Sequence, residues 1–188
     1  LLDVKKNYLG LGEGGSYPQT AENFRKYDAL GQCGNARLPW RPLMKLAFCE
    51  IPKGQKNPQS KGWNEKSAAI YDIGKLRGGN VGLLPAYCEP PLVHLDVDNV
   101  ELAEPMLARI GFDINCTRGR FRSGRDNSLS YIFESGSDIL PSTQFQVGDN
   151  LAYELRMASK DGKSVCSLLP PSVHPSGSVY SWCSKPFV

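Results

Sequence analysis

His94-Leu95-Asp96-Val97-Asp98 closes an apolar run that begins at Leu92, and it places two carboxylates two residues apart just before the pattern changes. In an extended strand, residues i and i+2 project from one face, so Asp96 and Asp98 point the same way while Leu95 and Val97 anchor the other. Two close carboxylates repel each other, and a hard cation bound through oxygen relieves that repulsion. The stretch therefore reads as a strand carrying a divalent-metal site. An isolated Asp-x-Asp favours a plainer reading, in which Asp96 begins a turn and Asp98 caps the next helix. The segments around it decide between the two.

Working outward, strands are predicted over Val81 to Leu84 and Leu92 to Val97, with Pro90-Pro91 between them. A helix is predicted around Leu102 to Ile110, ended by Gly111, with Pro105 tolerable only near its first turn. Strand candidates then crowd the C-terminal half: Phe112 to Thr117, Leu129 to Phe133, Leu151 to Met157, Val165 to Leu169 and Ser178 to Trp182. Asp161-Gly162 reads as a hairpin turn. Upstream, Asn64 is placed to cap a helix carrying Ala68, Ile70, Tyr71, Ile73 and Leu76, closed by Gly78-Gly79. The segment from Ile51 to Trp63 is too broken by Pro and Gly for regular structure, and Ala21 to Leu30 reads as a short helix after a Gly-rich arm. This order of elements predicts an α+β unit with helices on one face of its sheet and the Asp pair at a strand end.

Length and composition bound the reading. The chain has 188 residues, 40% of them hydrophobic, enough for one substantial core or two small subdomains sharing one. With 22 Lys plus Arg against 19 Asp plus Glu, the net charge of +3 does not argue nucleic-acid binding by itself. The six cysteines, Cys33, Cys49, Cys88, Cys116, Cys166 and Cys183, contain no CxxC pair, so the spacing of a zinc finger or ribbon is missing. Cys116 and Cys166 sit among apolar residues, which suits small core side chains better than nucleophiles. No signal peptide or membrane-crossing apolar run is read, and an intracellular protein is expected.

Several ordered segments strengthen the Asp pair. They are Gly54-Gln55-Lys56-Asn57-Pro58, Gly62-Trp63, Asn80-Val81-Gly82, Asn127-Ser128-Leu129-Ser130-Tyr131-Ile132-Phe133, Tyr153-Glu154-Leu155-Arg156, and Leu169-Pro170-Pro171-Ser172-Val173-His174-Pro175-Ser176-Gly177 followed by Tyr180-Ser181-Trp182. In this order they resemble the primase-polymerase (prim-pol) domain of the archaeo-eukaryotic primase superfamily, as found in phage and plasmid replication proteins. The resemblance covers residues 50–185. It implies an α/β prim-pol fold whose mainly antiparallel catalytic sheet, like an RNA-recognition motif, carries the acids (89–188) beside an N-terminal α/β module (1–88), the whole forming one catalytic domain or a fragment of a longer replicase.

The resemblance further implies a DNA primase and DNA polymerase acting in replication, in which Asp96, Asp98 and Glu154 bind two Mg²⁺ or Mn²⁺ ions for template-directed nucleotidyl transfer. Its implied partners are nucleoside triphosphates, a single-stranded or primed DNA template and a helicase, attached or separate, within the cytoplasm of a bacterial or archaeal host; no membrane is involved. Where the family's second motif has a small residue, any residue and His, this chain has Ser128-Leu129-Ser130. Ser130 thus replaces an imidazole by a hydroxyl that can hydrogen-bond a phosphate but carries no positive charge. Ser172 and His174 fall on the loop that the resemblance sets beside the incoming nucleotide, while Lys56 and Arg118 are basic residues placed to meet triphosphate or template phosphates. Two rival readings stay open, a DNA- or nucleotide-binding replication module without catalysis and a metal-dependent phosphohydrolase.

Overall fold

The computed structural model describes residues 44–112, 117–125, 127–135 and 138–183. Nine strands and one α-helix are found among them: β1 (Phe48–Ile51), β2 (Asn80–Leu83), β3 (Leu92–Val97), α1 (Val100–Arg109), β4 (Gly119–Arg122), β5 (Leu129–Glu134), β6 (Thr143–Val147), β7 (Asn150–Arg156), β8 (Ser167–Leu169) and β9 (Ser181–Trp182). The strands form a three-stranded sheet, β1-β2-β8, and a six-stranded one, β6-β7-β3-β5-β4-β9, with antiparallel pairing throughout. This is the mixed, mainly antiparallel α/β architecture expected from the sequence.

β3 is an inner strand of the large sheet because its sequence can be buried on both faces. Leu92, Val93, His94, Leu95 and Val97 are all buried, and Asp96 is the one residue of the strand left partly exposed. β5 and β7 flank it with Tyr131, Ile132 and Phe133 on one side and Ala152, Tyr153 and Leu155 on the other. α1 lies beside β7, burying Ala103 and Leu107. Its Glu104 comes close enough to Tyr131 to be felt by that phenol.

The small sheet takes its third strand from far along the chain. Asp161-Gly162 does form a tight turn, with Gly162 at φ 80° and Ala158 bridged to Ser164, yet β7 and β8 on either side of it do not pair. β8 crosses to β2 instead. Gly82 makes that junction tight: a Cβ there would stand 2.5 Å from Cys166 Sγ and 2.7 Å from Cys49 Sγ. Without it the two buried thiols meet at 3.5 Å.

Three local expectations are corrected. No α-helix spans 64–78; two 3₁₀ turns, Lys66–Ala68 and Ile73–Lys75, stand there. Ile70 is drawn into extended backbone by reciprocal hydrogen bonds with Phe48 at 2.8 and 2.9 Å, and Asp72 accepts from the Gly74 N–H, so the three- and four-residue apolar spacing serves a ribbon. α1 begins at Val100, ahead of the expected Leu102, because Asn99 caps it by accepting from the Leu102 N–H at 3.2 Å. Pro105 consequently lies in the second turn, on the exposed side of the helix, where it has no N–H to offer the Glu101 carbonyl. The strand expected over Phe112 to Thr117, the helix at Ala21 to Leu30, Cys33 and Cys116 lie wholly or largely outside the described residues. Among the described residues, no helix is long and apolar enough to cross a membrane.

Candidate active site

Antiparallel register brings the acids to one face. Asp96 is directly opposite Glu154 on β7 and Ser130 on β5, and directly opposed residues share a sheet face. His94, two residues earlier, is on that same face, opposite Arg156 and Ile132. Asp98 lies just past the end of β3, its N–H donating to the Ala152 carbonyl at 3.1 Å. It does not cap α1; Asn99 does, which leaves the Asp98 carboxylate for other work.

Burial relaxes along this row. At the His94 end the small sheet closes over the face: His94 Nδ1 is 2.9 Å from Ser167 Oγ, and its ring stacks on Phe121 at 5.5 Å. Burial pushes the His94 imidazole down to about 4, against the opposing pull of Asp96, so it is neutral at physiological pH. Asp96 is half-buried, and the Asp98 side chain is 21% exposed at the open end of the row. The Asp98 carboxyl is raised from its usual range first by burial and next by the Asp96 charge, with Arg125 and Lys56 acting the other way. The carboxylate repulsion inferred from the pentapeptide is therefore present in the folded protein.

Each acid already has a partner. Ser130, buried, donates its hydroxyl to Asp96 Oδ1 at 3.1 Å. Arg156 Nη1 donates to Glu154 Oε2 at 3.0 Å while its Nη2 donates to the Cys166 carbonyl at 2.8 Å. Arg125 Nη2 donates to Asp98 Oδ1 at 3.0 Å. The donor chemistry suits a hard cation, being carboxylate oxygen on one face with two of the groups in mutual repulsion. Among the described residues, no three acidic, imidazole or thiol groups converge closely enough to hold a metal ion. Two of the carboxylates, Asp98 and Glu154, are instead ion-paired with arginines.

The remaining candidates divide into near and far. Lys56 is within electrostatic reach of both Asp98 and His174, and Arg125 of His174, so these groups share the neighbourhood of the acids. His174 Nδ1 accepts from the Ser176 N–H at 3.1 Å, which leaves its ring proton on Nε2; burial, Lys56 and Arg125 hold its pKa down. Ser172 is buried and bonded to the backbone of β2, accepting from the Val81 N–H at 2.9 Å. Its hydroxyl shapes the loop that carries His174. Ser128 pairs with Ser123 Oγ at 3.2 Å and donates to the Arg125 carbonyl at 3.2 Å, bracing the β4–β5 hairpin. Arg118 is not brought to the acids: it is ion-paired with Glu134, whose register partner is Leu92, four residues or about 14 Å along β3 from Asp96.

Sequence reasoning passed over Arg125, Arg156, Asn80 and Tyr180. Asn80 ties two loops together, donating to the Gln55 and Val173 carbonyls at 2.8 and 2.7 Å and accepting from the Val173 N–H at 2.8 Å. Tyr180 is a buried phenol close enough to Asp96 for that charge to help raise it, after burial. Asn80, Arg156 and Tyr180 all fall inside segments quoted from the sequence, whereas Arg125 carries no local signal.

Residues 36–187 match the family model described as "Bifunctional DNA primase/polymerase, N-terminal". That span contains every site residue discussed above. Neither a curated protein nor a solved structure matches the chain.

Proposed function

Because the chain belongs to the family of bifunctional DNA primase/polymerase N-terminal domains, we propose that it is a nucleotidyltransferase that extends DNA primers on a template and makes them, with Asp96, Asp98 and Glu154 as its metal ligands. The observation that carries this reading is the register of β3 against β7, which sets Glu154 directly opposite Asp96, with Asp98 just past the strand end and near enough to feel the Asp96 charge. Mg²⁺ or Mn²⁺ held by these carboxylates would lower the pKa of a 3′-hydroxyl and stabilise charge on the α-phosphate and the leaving pyrophosphate.

The chain's own residues set the stage for that chemistry. Ser130 orients Asp96 through the 3.1 Å hydrogen bond, so the hydroxyl at the family's histidine position supports a ligand as well as lying beside the nucleotide site. Glu154 accepts Arg156 through Oε2, which leaves Oε1 to turn toward the metal. Neutral His94 packs under the acids with Phe121 and keeps bulk water from that end of the row. Lys56, Ser128, Ser172 and His174 line or shape the side on which a triphosphate would lie, and Arg118 would meet template phosphates farther along the sheet. A binding module without catalysis is the second reading, favoured by the pairing of Glu154 with Arg156.

Incorporation of a labelled deoxynucleotide onto a primed template, with Mn²⁺ or Mg²⁺, tests the proposal. Wild type should extend the primer, and Asp96→Ala should lose extension while retaining its far-ultraviolet circular dichroism. Extension by Asp96→Ala at the wild-type rate would refute the assignment.

A further inference from the structure

Two arginines face the acids, and they are held differently. Arg156 is fixed at two points, on Glu154 and on the Cys166 carbonyl, and its side chain is 30% exposed. Arg125 reaches Asp98 through one nitrogen, has among the described residues a long 3.5 Å contact from Nε to Ser123 Oγ besides, and is 46% exposed. Its backbone, by contrast, is anchored. Ser128 Oγ donates to the Arg125 carbonyl, and Ser178 Oγ donates to the Ser123 carbonyl at 2.9 Å, joining the hairpin to the His174 loop.

An ion pair this exposed is weak, so a competing cation displaces it readily. The displaced guanidinium has somewhere to go. The Ser178–Ser123 bond holds the Arg125 hairpin against the His174 loop, whose imidazole feels both Arg125 and Lys56, so a rotation away from Asp98 leaves two cations on that side to meet an anion. Arg156 lacks this freedom, because leaving Glu154 would strain its bond to the Cys166 carbonyl.

We propose that Arg125 is an exchangeable counter-cation, which neutralises Asp98 while that carboxylate is without metal and transfers to the triphosphate of the incoming nucleotide, beside Lys56, when Asp98 takes up its metal. The inference rests on the metal role proposed for Asp98. It makes metal and nucleotide binding cooperative: uptake of one frees the group that the other requires, and the coupling is reciprocal. It also gives the resting protein a means of tolerating two close carboxylates.

The test is calorimetric titration of the full chain, first with Mn²⁺ alone and then, at saturating Mn²⁺, with a deoxynucleoside triphosphate whose α,β-bridging oxygen is replaced by methylene. Arg125→Gln should bind Mn²⁺ alone about two- to fivefold more tightly, since the competing pair is gone. The same variant should bind the analogue about tenfold more weakly. Arg125→Lys, which keeps the charge, should recover part of both shifts, a recovery that a merely structural role for the arginine would not give. Unchanged or weaker Mn²⁺ binding by Arg125→Gln, or unchanged analogue binding, would overturn the exchange. Asp98→Asn separates the two levels: wild-type Mn²⁺ affinity in that variant would overturn the metal role itself and this inference with it, whereas its loss alongside a silent Arg125→Gln would overturn only the exchange.

Discussion

Replacing Ser130 by Ala asks what the hydroxyl at the family's histidine position does in this chain. Ser130 is 4% exposed, and its hydroxyl donates to Asp96 Oδ1 at 3.1 Å. A hydrogen bond to a charged group contributes about 1.5–3 kcal/mol. Water reaches the half-buried Asp96, so the lower end applies, and Ser130→Ala should cost about 1.5 kcal/mol in metal-free buffer. For a chain of this length that corresponds to a fall in Tm of about 3–6 °C. Urea denaturation followed by tryptophan fluorescence measures it, and a double-mutant cycle with Asp96→Ala isolates the bond. A coupling energy of about 1–1.5 kcal/mol is expected. Effects of the two substitutions that add to within about 0.3 kcal/mol would refute the reasoning. A hydroxyl that served only a nucleotide phosphate would leave the stability of the nucleotide-free protein unchanged.

Glu154→Gln should weaken Mn²⁺ binding in calorimetry while the protein stays folded; unchanged affinity would make Glu154 only the charge partner of Arg156. Gly82→Ala should destabilise the protein by about 1–3 kcal/mol through overpacking against the Cys49 and Cys166 sulfurs, and Cys166→Ala in the same chain should recover much of that loss; equal denaturation midpoints for wild type and Gly82→Ala would contradict the close approach. Cys88, buried, has its thiol pushed up to about 12 from 9.0, chiefly by desolvation. The folded state therefore binds its proton more tightly than the unfolded one, and the stability this confers is complete below pH 9 and lost as pH rises toward 12. Cys88→Ala should flatten that alkaline decline, as measured by denaturation at stepped pH, and an identical slope in the variant would rule the thiol out.

How far the sequence could be read depended on where the information lay. β3, β5 and β7 were legible because each is a run of apolar residues with its polar groups at defined intervals, and the short spacing of Asp96 and Asp98 is what leaves the two carboxylates close enough to repel. β4 was not, since Gly119-Arg120-Phe121-Arg122 is half cationic and reads as a solvated loop; it becomes a strand only through β5 and β9 on either side. The helix expected at 64–78 had the right spacing and the wrong partner, because Phe48, more than a dozen residues upstream, claims the Ile70 backbone. The pairings of Arg125 and Arg156 were invisible for a related reason. Their significance arises from which carboxylate a hairpin or a register sets beside them, and no local pattern records that. Arg118 shows the reverse case, where a basic residue beside a strand end is paired with Glu134, away from the acids.

The measurement that bears most directly on the central claim is anomalous scattering from crystals of the protein soaked in Mn²⁺ with the methylene triphosphate analogue. An anomalous peak is expected beside Asp96 and Asp98, with carboxylate oxygens at roughly 2.0–2.2 Å, Glu154 turned toward it, and the analogue's phosphates on the Lys56 and His174 side. A fully soaked crystal in which manganese lies elsewhere, with Arg125 still on Asp98, would contradict the assignment of these acids as the catalytic metal site.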